Sequence, residues 1–209
     1  MRNVLILLFS FSFLFSGDEK VYSVDLENAI LKWTANRVTK THWGYISMKG
    51  GNIVIDGKDI ISGEFQVDMN SIVVRDMDES PWRTKLENHL KSSDFFNVEN
   101  FPTSQLSINK VSFNQGAFKV VGDLTIRGIT HSVEFPAIIK FSDSGPQATG
   151  QIKIDRTLFD VNFRSGKFFT DLGDKMIYDE FTIDFEVKAP STSLSGFTIG
   201  APNAVTPAD

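Results

Sequence analysis

Cysteine is absent from all 209 residues, which removes disulfides, thiolate metal sites and cysteine nucleophiles together. Histidine is scarce: His42, His89 and His131 are far apart and form neither an HxH nor an HExxH arrangement, so no metal is assigned. Positive charge is in deficit, with 21 Lys and Arg against 26 Asp and Glu and a formal net charge of -5. No block of Lys or Arg stands out, and a phosphate-backbone binder needs a basic face, so nucleic acid is not expected as a partner. The GxSxG elbow of serine hydrolases is missing. The glycine stretch from Gly51 to Asp59 fails as a phosphate loop, because five residues separate Gly51 from Gly57 and Asp59 stands where a Ser or Thr should meet the metal; it reads as a hairpin. Carboxylates are plentiful but fall on the polar side of alternating segments, so neither catalytic residues nor a cofactor are assigned.

Long apolar runs are also lacking. The longest, Val4 to Phe15, is about 12 residues, short of the ~20 that span a bilayer. Arg2 before it and Ser16 and Gly17 after it make residues 1–17 read as a secretory signal peptide. Export to the periplasm or the extracellular space is therefore expected, and without a nearby cysteine a lipid-modified N-terminus is excluded.

What is present is a period of two. In IISGEFQVDM, Ile61, Gly63, Phe65, Val67 and Met69 share one face and Ser62, Glu64, Gln66 and Asp68 the other. The same alternation marks AFKVVGDLTI, VEFPAIIKF and FTIDFEVKA, and weaker strands run through ILKWTA, NIVI, SQLSIN and ATGQIKI. Turn signals are read at Gly50-Gly51, Asp56-Gly57, Asn114-Gln115-Gly116, Arg127-Gly128 and Ser144-Gly145-Pro146. About eight strands joined by short turns imply an all-β antiparallel meander, which closure into a barrel would relieve of exposed edges. One segment breaks the pattern: Ser80 as cap, Pro81 at the first position and Trp82, Leu86 and Leu90 at helical spacing predict a short inserted helix over about 81–92. The barrel is expected to occupy 18–190, and the Ser/Thr/Pro/Gly-rich tail over 191–209 to be disordered.

Nineteen phenylalanines could fill a core, yet a barrel of about eight strands can either pack solid or hold one apolar ligand. Periodicity does not choose between them.

Two long motifs do bear on the choice. HLKSSDFFNVENFPTSQ, from His89 to Gln105, resembles the signature of the YceI family, His-Leu-(Lys/Arg)-Ser-x-Asp-Phe-Phe followed by Phe-Pro or Tyr-Pro. GDLTIRGITHSVEFP, from Gly122 to Pro136, resembles that family's Gly-x-Leu-Thr-Ile-(Arg/His)-Gly-(Val/Ile)-Thr-x-x-Val hairpin, and IDRTLFDV and LGDKMIYDEFTIDFEVKA are similar to its later elements. The resemblance covers Val21 to Ala189. Three positions depart from it: Trp33 falls near a usual Phe, Arg37 near a usual His, and Asp160 stands where Gly is usual.

The resemblance implies a lipocalin-like antiparallel barrel, exported, whose apolar lumen holds a polyisoprenoid or similar amphiphilic lipid: a prenyl phosphate, an isoprenoid quinone or a fatty acid derivative. On that reading the early strands place Trp33, Phe65 and Val67 on the lumen, and the central ones Leu106, Ile108, Phe118, Leu124 and Ile126. Val133, Phe135, Ile139 and Ile152 follow, then Phe159, Phe181, Ile183 and Phe185. Arg37, His42, Arg127 and Arg156, with Arg164 beside them, are the candidates to meet a head group. Loading from a bilayer implies transient membrane contact, and the residues leave monomer and homodimer both open. Each C5 unit is worth roughly 4 kcal/mol against water, at ~0.8 per carbon. A prenyl lipid starts in a membrane, however, so its hydrocarbon gains little and selectivity rests on lumen length and head group. Two other readings remain: an enzyme acting on a lipid inside the barrel, with His42 or Arg156 as acid-base group, and a solid barrel with Phe135, Phe181 and Phe185 in mutual contact.

Overall fold

The computed structural model describes residues 19–190; the signal peptide expected over 1–17 and the disordered tail expected over 191–209 lie outside the described residues. The alternation runs through nine strands: β1 (Glu19–Ser23), β2 (Ile30–Arg37), β3 (Thr41–Asp56), β4 (Asp59–Val74), β5 (Thr103–Asn114), β6 (Ala117–Ile126), β7 (Ile129–Ser142), β8 (Gly145–Asp155) and β9 (Ile177–Lys188). All pair antiparallel in the order β1-β3-β2-β9-β8-β7-β6-β5-β4, and a β3–β4 pairing closes the ring. The closed barrel is thus the eight strands β2 to β9, as the expectation had it, with β1 as an addition. β1 exists because β3 is long: β2 pairs with its first half, Thr41 to Tyr45, and β1 with its second, Asn52 to Asp56.

Several hairpins sit where turn residues require them. Arg127 (φ 51°) and Gly128 (φ 73°) form one, and Gln115 (φ 50°) and Gly116 (φ 86°) another, both with the paired positive φ of the two-residue turns that suit strand twist. Gly50-Gly51 is different. It lies inside β3, at a shift of register against β4 between Met48 and Gly50. A Cβ on Gly51 would stand 3.0 Å from both Phe65 Cδ1 and Val24 Cγ2, so the glycine pair serves a bulge and close packing where a turn was expected.

The helix α1 (Pro81–Lys91) matches its expected limits, with Pro81 in its first turn and the Ser80 hydroxyl accepting from Arg83 N. The Glu87 carboxylate ties it to the barrel by accepting from Val74 N at 2.8 Å.

Between β7 and β8 the wall splays. Their ladder starts only at Ala137, so Ile129 to Pro136 have a strand neighbour on one side alone, and β8 beyond Gln151 pairs only with β9. Pro136 stands at that margin, its carbonyl turned towards Gly150, where a missing N–H costs no ladder bond. A 3-10 turn, Arg156–Phe159, closes the gap, with Phe159 1% exposed in the cluster that holds Ile126, Phe135 and Ile154. Asp160, at φ 58°, ends this turn in the left-handed conformation that suits the family's usual Gly and that Asp also tolerates.

Candidate functional site

Among the described residues the inward side chains leave a cavity of about 720 Å³ and a smaller one of about 160 Å³. Leu31, Val67, Ser104, Leu124, Ile154 and Ile183, from six different strands, line both, and so form a waist between an upper lobe at the α1 end and a lower lobe. In the lower lobe Phe65, Phe135 and Phe185 occupy much of the cross-section, Phe135 and Phe185 meeting edge-to-face at 5.8 Å. Phe181 lies in the upper lobe instead, 6.2 Å from Phe96. The three rings named for a solid core are thus not in mutual contact, and only the lower half is close to packed.

Helix α1 forms one wall of the upper lobe. Trp82, Leu86 and Leu90 reach the cavity from one helical face with Lys85 and His89 beside them. Phe95, Phe96 and Phe163 continue the lining, and Trp33 is held in place by Nε1 donating to Val73 O at 3.2 Å. At the open end the wall turns polar: Asn36, Arg37, Lys40 and His42 come from the β2–β3 hairpin, and Arg164 from the segment after the 3-10 turn. No Asp or Glu among the described residues lines this lobe. Carboxylates stand behind it: Asp76 Oδ2 is 2.9 Å from His42 Nδ1, and Asp94 is 4.0 Å from His89 Nδ1. Burial holds the His89 imidazole below the ordinary 6.5; the nearby Asp94 charge opposes this and Arg164 adds to it.

Of the sequence candidates, Trp33, Val67, Leu124, Ile126, Phe181 and Ile183 line the upper lobe, together with Arg37, His42 and Arg156. Phe65, Leu106, Ile108, Phe135, Ile139, Ile152 and Phe185 line the lower one. Four candidates are elsewhere. Phe118 sits on the first rungs of β6, its ring 5.0 Å from Phe113 and 6.4 Å from Phe141, both exposed, so it belongs to the far rim. Val133 and Phe159 pack into the cluster at the β7–β8 splay, where the missing ladder demands filling. Arg127 points from its turn to a structural role, donating to Phe95 O at 2.6 Å and Asp160 O at 2.9 Å.

Arg156 touches the upper lobe but is 3% exposed and committed to backbone: it donates to the carbonyls of Val161, Ile177 and Tyr178 and faces Asp179 Oδ1 at 3.4 Å. Its neighbour Asp155, although burial alone would raise it, is held below the ordinary carboxylate value by bonds from Lys167 and Thr157. Lys40, Lys85 and His89 were not among the candidates. His89 opens the HLKSSDFF signature, and its place one turn before the end of α1 was the signal for it. Among the described residues no group of three or more His, Cys, Asp or Glu is placed to hold a metal.

The fold and the cavity define a closed antiparallel barrel with a ligand-sized internal space open at one end. The YceI-like domain model matches residues 22–189, and the chain belongs to that family. UPF0312 proteins of Staphylococcus aureus are 42% identical over 84 residues, 37% of this chain and 47% of theirs, so the chain spans about half the length of the curated relatives it matches. Two solved structures share the fold: Burkholderia cenocepacia BcnA, with TM-score 0.62 and 19% identity over 79% of this chain and 99% of that one, and a polyisoprenoid binding domain from Saccharophagus degradans, with TM-score 0.57 and 13% identity over 81% and 98%.

Proposed function

We propose that the protein is an exported carrier that holds a polyisoprenoid or similar amphiphilic lipid, its chain in the upper lobe and its head group at the polar mouth. The observation that carries this is the 720 Å³ apolar cavity beneath a polar rim, within the 300–1,000 Å³ usual for small-molecule sites. Membership of the YceI-like family and the fold shared with a polyisoprenoid binding domain support the same class of ligand. The lower lobe's 160 Å³ is close to the ~150 Å³ that takes a benzene-sized guest in an apolar cavity, room for the tip of a chain. The rim also suits exchange with a bilayer in the periplasm or outside the cell: Trp82 and Tyr178 line the lobe yet are 69% and 47% exposed, the amphipathic rings that favour a membrane interface.

Trp33 and Trp82 both line the lobe, so titration with prenols of increasing length can be followed by intrinsic fluorescence. Saturable binding that strengthens with chain length and then levels is expected, and Ile126→Trp should reduce it at least tenfold while leaving the circular dichroism unchanged. An unaltered protein that binds neither prenols nor their phosphate or carboxylate counterparts would sink the carrier reading. A lipid that is bound and chemically converted would favour the enzyme reading, for which His42, paired with Asp76 at the cavity wall, is the group to replace.

A further inference from the structure

A purely hydrocarbon guest has no use for cations, yet Arg37, Lys40, Lys85 and Arg164 all line the upper lobe and no carboxylate among the described residues does. This holds in a chain whose formal net charge is -5. The four come from separate places, the β2–β3 hairpin, α1 and the segment after the 3-10 turn, so the excess is a property of the site and not of a local charge run. Two nitrogens stand out. Arg37 gives Nη2 to Asp174 O at 3.3 Å, but its Nε is shut off from solvent without a hydrogen-bond partner. His89 Nε2 is in the same condition, on a ring fixed edge-on by Phe95 at 5.1 Å and Phe163 at 4.6 Å. Arg164 is steadied over the Phe163 ring at 5.0 Å. Buried polar atoms are ordinarily paired, and exceptions mark a strained or functional position; these two belong to residues on the wall of one cavity, within a cluster of like charge.

We propose that the head group this site takes is an anion, a phosphate or a carboxylate, held by the positive charge of Arg37, Lys40, Lys85 and Arg164. This rests on the carrier reading and deepens it. Hydrocarbon is about equally at home in a bilayer and in the barrel, so an anion held by charged donors at a half-dry mouth is what sets one lipid apart from another. Neutral prenols and quinone-like head groups would leave the cations uncompensated.

The test compares three C20 ligands with one hydrocarbon chain: geranylgeraniol, geranylgeranyl phosphate and geranylgeranoic acid, each titrated into the whole protein by fluorescence at low and high salt. At least one anion is expected to bind tenfold or more tighter than the alcohol, with the margin shrinking as salt rises. Whichever of the phosphate and the acid is tighter names the anion. Arg37→Gln and Arg164→Gln should each lower anion affinity severalfold more than alcohol affinity, and Lys40→Gln provides a milder variant should either fail to fold. Equal affinity for all three ligands overturns the anion inference while leaving the carrier reading intact. Binding of none overturns the carrier reading itself. An equal loss for all three ligands in both Arg37→Gln and Arg164→Gln assigns those residues to structure and overturns their role in holding the anion.

Discussion

Arg156 shows how much a single buried cation can be asked to hold. Its guanidinium satisfies carbonyls on both sides of the segment from Val161 to Tyr178 and meets Asp179, so its removal leaves several buried acceptors without a partner and Asp179 with Lys167 at 3.8 Å in its place. Arg156→Met is expected to lower the unfolding free energy by about 3–5 kcal/mol in denaturant melts; a loss below about 1 kcal/mol would return Arg156 to the head-group candidates. The sequence could not separate Arg156 and Arg127 from Arg37, because all three are lone arginines near turns, and what distinguishes them is which distant carbonyl the fold brings within reach. His89 carries a pH signature. Burial holds it below 6.5 when folded, so between the folded value and 6.5 the unfolded chain binds more protons. Stability should therefore fall as pH drops through 6.5 towards the folded value, and His89→Gln should flatten that part of a plot of Tm against pH. An unchanged slope would show that His89 is not held neutral by its surroundings.

At the scale of elements, α1 is a wall of the cavity that rests on the barrel with no buried residue of its own. It is held by its N-terminal cap, by Glu87 on Val74 N and by the apolar contacts of Leu86 and Leu90. Ser80→Ala removes the cap at about 1 kcal/mol. Faster ligand release in stopped-flow displacement is expected with only a small fall in Tm, whereas an unchanged release rate would mean the helix does not control access. The limits of α1 were readable because capping, proline placement and helical spacing are local. Hairpins at Asp56-Gly57 and Arg127-Gly128 were readable for the same reason. Gly50-Gly51 was misread as a turn because glycine also serves bulges, and only the approach of Phe65 and Val24 shows which use applies. The extra strand β1 was hidden because it depends on the unusual length of β3, a long-range property.

Over the whole molecule, alternation tells which residues face inward but not whether they meet. That depends on the barrel's cross-section, on the splay between β7 and β8, and on where large rings fall. Phe65, Phe135 and Phe185 line the smaller lower lobe, Phe159 fills the splay, and α1 and the β2–β3 hairpin supply walls of the wider upper lobe. The lumen is therefore a wide chamber above a narrow one, and guest size should be set by the chamber. The most direct check is native mass spectrometry of protein produced from the full sequence, with organic extraction of whatever it carries. A bound species of long apolar chain, released by solvent and rebinding at one per protein, is the expected result; protein that emerges without a guest and takes up no prenyl lipid when offered one would contradict the account.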